Sequence, residues 1–76
     1  MEANLFLDAT GLSCPMPIVK TRNAMKELQA GEILEVRTTD KGAIADLTAW
    51  TRSGGHELLE QTETDGVLTF FIRKGN

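Results

Sequence analysis

Apolar and polar residues alternate along the chain with two different periods, and each change of period marks a new element. Leu5 to Leu7 is a short apolar run that ends in the turn formers Asp8-Ala9-Thr10-Gly11, which predicts a first strand and a loop. From Pro15 to Gln29, Ile18, Thr21, Met25 and Leu28 recur at spacings of three and four, with Lys20, Arg22, Lys26 and Glu27 elsewhere. That is the pattern of an amphipathic helix, which Ala30-Gly31 is expected to end. Glu32 to Thr39 puts Leu34, Val36 and Thr38 on one side and Glu35 and Arg37 on the other, and reads as a second strand. Asp40 is placed to cap a second helix through Ile44, Leu47 and Trp50, stopped by Gly54-Gly55. Glu57 to Thr64 and Val67 to Arg73 flank Asp65-Gly66, a strong hairpin signal, and are expected to pair antiparallel.

The order strand, helix, strand, helix, strand, strand predicts an α/β (α+β) two-layer sandwich, βαβαββ. Right-handed crossovers place the two helices on one face of a four-stranded mixed sheet. Phe70 and Ile72 alternate with Thr69 and Phe71, so one phenylalanine must lie on the open face of that sheet or at a partner surface.

The length of 76 residues leaves room for one domain, spanning 1–76. Ordering costs about 1.5 kcal/mol per residue, so most of the apolar side chains must build the core and little remains for a deep cavity. No apolar run is long enough to cross a bilayer, and no basic flank precedes an apolar stretch at the start, so a cytoplasmic protein without membrane contact is expected. Eleven acidic against eight basic residues give a net charge of −3, which argues against direct nucleic-acid binding. A lone cysteine, Cys14, forms no internal disulfide and fits a reducing compartment. With one cysteine and one histidine, the chain is expected to hold no metal.

The chemistry concentrates in Gly11-Leu12-Ser13-Cys14-Pro15-Met16-Pro17. Pro15 at the first helical position loses no hydrogen bond, and Pro17 still falls in the first turn, so the prolines stiffen the helix start and set Cys14 at the N-cap. There the helix dipole and free N–H groups favour a thiolate, and thiols so placed titrate between roughly 3.5 and 7.5 instead of about 8.5. A lone cysteine is more often a small buried hydrophobe, but such a residue belongs in an apolar stripe, and this one sits in a turn between a glycine and two prolines. His56 is the one candidate base for acyl transfer, and nothing in the sequence places it beside Cys14; a surface or hydrogen-bonded structural histidine is the simpler reading. A second cysteine for dithiol chemistry is absent. What remains for an exposed, low-pKa sulfur is to accept a group from one protein and pass it to another.

At these residues the sequence resembles the bacterial TusA (SirA-like) sulfur carriers. Leu7-Asp8-Ala9-Thr10-Gly11-Leu12-Ser13-Cys14-Pro15-Met16-Pro17 is similar to the family's Leu-Asp-x-x-Gly-Leu-x-Cys-Pro-x-Pro signature. Asp46-Leu47, Trp50, Gly55-His56-Glu57, Glu63-Thr64-Asp65-Gly66 and Ile72-Arg73-Lys74-Gly75 extend the likeness over nearly the whole chain. The resemblance implies that Cys14 carries sulfane sulfur as a persulfide, taken from a cysteine desulfurase or rhodanese-type donor. The sulfur then goes to an acceptor protein, along a route that can end in tRNA 2-thiouridine. It implies a non-enzymatic carrier in a sulfurtransferase relay, without metal or organic cofactor, monomeric when free. Asp8, Gly11, Leu12, Pro15 and Pro17 would support the motif, Asp8 as a turn residue and not a proton donor. Arg22 and Asp40 would contact the donor. Met16 is expected at the surface and Met25 in the core. Where the family often opens its second helix with Asp-Pro or Asp-x-Pro, this chain has Asp40-Lys41-Gly42-Ala43, which bears on where that helix starts. Two other classes use the same cysteine pattern differently: a thiol redox sensor, and a regulatory interaction module in which Cys14 is dispensable.

Overall fold

A computed structural model describes residues 2–13 and 15–75. Its elements run β1 (Leu5–Ala9), α1 (Met16–Met25), β2 (Ile33–Thr38), α2 (Ala43–Ser53), β3 (Glu57–Thr64) and β4 (Val67–Arg73). The strands form one mixed sheet in the order β1-β2-β4-β3, with β1 parallel to β2 and the other two pairings antiparallel. β4 thus lies between β2 and β3, the two strands that α2 connects.

The alternation read from β2 decides the sheet's faces. Leu34, Val36 and Thr38 are buried, and across the ladders they meet Ile72, Phe70 and Leu68 of β4 and Leu5, Leu7 and Ala9 of β1. Ala24, Met25 and Leu28 from α1 and its following turn, with Ala43 and Leu47 of α2, close over this face in one cluster, so both helices share it. Thr21 and Thr51 occupy the same buried stripes because each hydroxyl donates to the carbonyl four residues back, Pro17 at 2.7 Å and Leu47 at 2.6 Å. Met25 is buried and Met16 exposed, as expected.

On the open face, Phe71 is half-buried while its neighbour Phe70 is fully buried. Phe6 is 50% exposed, and the Arg37 guanidinium lies 5.0 Å from its ring centre, held also by Glu35 at 3.2 Å. The Asp65-Gly66 turn has positive φ at both residues, 51° and 81°, the geometry of a type I′ hairpin. A bulge between Leu58 and Glu60 interrupts the β3–β4 register, and residues 60–66 are exposed.

Several predicted boundaries move. α1 ends at Met25, not Gln29: the N–H groups of Lys26, Glu27 and Leu28 donate to the carbonyls of Asn23, Ala24 and Met25. These tighter three-residue turns still deliver Leu28 to the core. Ala30-Gly31 therefore closes the loop into β2, where the Gly31 N–H donates to the Lys74 carbonyl at 2.8 Å, and does not cap the helix. β1 runs two residues beyond Leu7 because Asp8 and Ala9 pair with Arg37 and Thr38. Glu32 is outside β2; its carboxylate accepts the Gln29 N–H instead.

Candidate functional site

The loop from β1 to α1 is fixed by its own short polar side chains. The Asp8 carboxylate accepts the Thr10 N–H at 3.0 Å and the Thr10 hydroxyl at 2.6 Å. These bonds, the hydroxyl first, hold its pKa below the ordinary carboxylate value against a smaller opposing effect of desolvation, and Arg37 adds the least. An acid so held is ionised at neutral pH and acts as a turn acceptor. Leu12, half-buried, donates its N–H to the Ala9 carbonyl at 3.3 Å, and the Gly11 N–H donates to the Thr39 hydroxyl at 2.9 Å. Thr39, just past β2, is a loop anchor the sequence reading missed; only the parallel pairing of β1 with β2 brings it there.

Gly11 has φ +80°, and a Cβ built on it would meet no atom within 4 Å. The cost of a side chain there is therefore backbone conformation alone, about 1 kcal/mol for alanine. Gly11→Ala is expected to lower the melting temperature by about 4–8 °C, without a change in circular dichroism. An unchanged melting temperature would show that the loop readily adopts another conformation.

The start of α1 differs from expectation by one residue. Pro15, with φ −95° and ψ 8°, is the cap, Met16 is the first helical residue and Pro17 the second. The Val19 N–H makes the bond back to the Pro15 carbonyl at 3.1 Å, and the Met16 N–H reaches the Ser13 carbonyl at 2.9 Å. Proline as cap leaves Met16 with a tight-turn bond before the regular ladder begins. Cys14, expected at the N-cap, lies outside the described residues. Its sequence neighbours Ser13 and Pro15 are both exposed, and Met16 is 41% exposed.

Pro15, Pro17 and Ile18 meet Asp40, Ala43 and Asp46 in a notch too shallow to enclose a water molecule. The structure thus brings Asp40 to the two prolines, as the sequence could not show, and adds Asp46 from the first turn of α2. α2 begins at Ala43, after a turn that Asp40 closes: its carboxylate accepts the Gly42 N–H at 3.0 Å and its carbonyl the Ala43 N–H. Asp40 was expected to cap α2 and does not: the cap is Gly42, without a side-chain cap bond, and the Asp40 carboxylate closes the turn before it.

Arg22 is not part of that notch. Seven residues beyond Pro15, about 10 Å along the helix, it lines a second cleft with Met25, Lys26, Trp50, His56 and Lys74. His56 is there too, at the end of α1 away from the proline notch. Its Nδ1 accepts the Gly75 N–H at 2.9 Å and its ring lies 5.0 Å from that of Trp50, so it is a hydrogen-bonded structural histidine. Among the described residues, no three of His, Asp and Glu stand close enough together to hold a metal ion.

Burial first, then the Lys74 charge, push the His56 pKa below 6.5. Protonation also removes the acceptor for Gly75. The unfolded chain then binds the proton more readily than the folded one, so stability is unaffected well above pH 6.5 and falls as pH drops through the depressed folded value. Thermal melts between pH 8 and pH 5 are expected to show a steeper acid-side loss for the native chain than for His56→Gln; parallel curves would remove His56 from the account.

On this two-layer α+β sandwich a glycine–leucine loop leads toward a helix start that carries Pro15 and Pro17. The family model for sulfurtransferase TusA matches residues 5–74, and the chain belongs to that family. Two Bacillus subtilis relatives, each named as a candidate sulfur carrier protein, are similar to it. YrkI is 61% identical over 75 residues, covering 99% of this chain and 100% of YrkI. YrkF is 59% identical over 76 residues, and the chain spans only 40% of the length of YrkF. Among solved structures, a SirA-like protein from Desulfitobacterium hafniense superposes with a TM-score of 0.83 at 28% identity, over 95% of this chain and 99% of that one.

Proposed function

We propose that this chain is a sulfur carrier, a single module of residues 1–76, and that Cys14 holds the cargo as a persulfide. Family membership over 5–74 is the observation that carries the reading. The loop geometry supports it: Asp8, Gly11 and Leu12 tie the segment before Cys14, and Pro15 and Pro17 stiffen the segment after it. The Cys14 thiolate attacks the outer sulfur of a donor persulfide R–S–SH. The donor's S–S bond breaks, R–S⁻ leaves, and Cys14–S–SH forms. An acceptor thiolate then attacks the outer sulfur and Cys14 departs as thiolate, so no external oxidant or reductant is consumed. The N-terminal end of α1 would favour the anion at the start and finish of this cycle.

The donor in this reading is a cysteine desulfurase or rhodanese-type protein, met through Asp40 beside the proline notch and Arg22 further along α1. The acceptor is a protein thiol in the cytoplasm, with tRNA 2-thiouridine as one end point. Incubation with a cysteine desulfurase and cysteine is expected to add about 32 Da, one sulfur atom, in a form that dithiothreitol removes. No gain under conditions where the desulfurase itself is loaded would overturn the reading.

A further inference from the structure

The two helices cover one face of the sheet and leave the other without a second layer. Cross-strand register sets Phe6, Glu35, Phe71 and Glu60 in one row over that open face, from β1 through β2 and β4 to β3. The β3 bulge adds Leu59 to the row, because a bulge sets two residues, here Leu59 and Glu60, opposite one, Phe71. Ile33 lies on the same face two positions before Glu35. Phe71, Leu59 and Ile33 are half-buried, and Phe6 is exposed with the Arg37 guanidinium against its ring. The solvated face of such a sheet is ordinarily polar, so a band of four large apolar side chains marks a contact surface.

The charges around the band say what covers it. Its cations are committed on the face itself, Arg37 to Glu35 and Arg73 to Glu57. Two carboxylates remain at opposite margins. Glu60, on β3, makes no ion pair among the described residues, and Asp8, on β1, is held by Thr10. Three interstrand steps of about 4.8 Å separate these margins by roughly 14 Å, and an α-helix with its side chains is about 10–12 Å wide. A helix laid along β2 and β4 would cover the apolar band and bring its two flanks to the two acids. A second copy of the chain, packed face to face, would set acidic margin against acidic margin.

We propose that the open face of the sheet docks an amphipathic helix of another protein, its apolar stripe flanked on both sides by lysine or arginine. Docking there is independent of the carrier reading. The proline notch lies on the helix layer, across the sheet from the band, so a bound helix leaves the notch clear and a second protein can approach it at the same time.

The test titrates the ¹⁵N-labelled full chain at low salt with a synthetic Leu/Lys peptide about five helical turns long, its leucines spaced at three and four. A scrambled peptide of the same composition and a Leu/Glu version serve as controls. The amphipathic Leu/Lys peptide is expected to shift the amides of Phe6, Glu35, Phe71 and Glu60 and to leave those of Ile18 and Ala43, at the notch, in place. Glu60→Lys, at an exposed position away from the core, should weaken binding about tenfold, while Glu60→Asp keeps it. Phe6→Ala, which removes an exposed ring, should weaken it by a similar factor. Absence of the sheet shifts, equal affinity for Glu60→Lys, or equally tight binding of either control peptide would each overturn the proposal. So would shifts at Ile18 and Ala43 in their stead. The same sheet shifts on concentrating the chain alone would assign the face to a second copy and overturn it too. Sulfur uptake from inorganic polysulfide, measured on the same samples, tests the carrier reading separately, since it needs no docked helix.

Discussion

Cys14→Ser is expected to abolish the one-sulfur mass gain completely while leaving the melting temperature within a few degrees of the native chain. The substitution exchanges one small polar group for another, so packing is little altered, but a hydroxyl at neutral pH supplies neither the anion nor the polarisable atom that attacks a persulfide. The measurement is mass spectrometry after desulfurase treatment, with a thermal melt of both proteins as the control. A gain retained in the variant would move the chemistry away from Cys14. Loss of the gain with full complementation of a deletion strain by Cys14→Ala would favour a regulatory module. Peroxide oxidation of the native thiol far faster than that of free cysteine, without sulfur uptake, would favour a redox sensor.

The largest stability effect is expected from Phe70→Ala. Phe70 is fully buried between Val36 of β2 and Gln61 of β3 and belongs to the cluster that both helices cover. Truncating a core phenylalanine costs about 3–5 kcal/mol. Folded domains have about 0.05–0.15 kcal/mol of stability per residue, which for this length is about 4–11 kcal/mol in all. Much or all of the stability would go. Phe71→Ala is the matched control: the same atoms are removed one position along, from a half-buried site on the open face, and a loss near 1 kcal/mol is expected. Urea denaturation with a common m-value checks both; equal losses would contradict the assignment of faces.

The same pair of residues shows what was legible in the sequence. Period-two alternation along β2 and β4 gave the sheet's inner face, and Asp65-Gly66 gave the hairpin, because both signals are local and the strands run exactly from Glu57 to Thr64 and from Val67 to Arg73. The end of α1 was not legible. Leu28 keeps its helical spacing yet reaches the core through three-residue turns, a choice made by packing and not by propensity. The strand extension through Asp8 and Ala9 was hidden for a similar reason: turn-forming residues were recruited into a ladder by their partner strand. At the candidate site, the cysteine motif was readable because prolines and glycine constrain the backbone locally. Thr39 beside Gly11, Asp46 beside Pro15, and the separation of Arg22 from Asp40 depend on which strands and helices become neighbours, and no run of sequence encodes that by itself.

The bulge and the acidic rim of β3 bear on how such a protein survives crowding. An outer strand is a standing invitation to polymerise, since its outward amides can recruit a strand from another molecule. Here the long outer strand is kinked between Leu58 and Glu60 and carries the exposed carboxylates of Glu60 and Glu63, Glu57 being paired with Arg73, while β1, at the other margin, has only five residues. Like charges brought face to face and a broken repeat deny fibres a template, so abundance need not lead to self-adhesion.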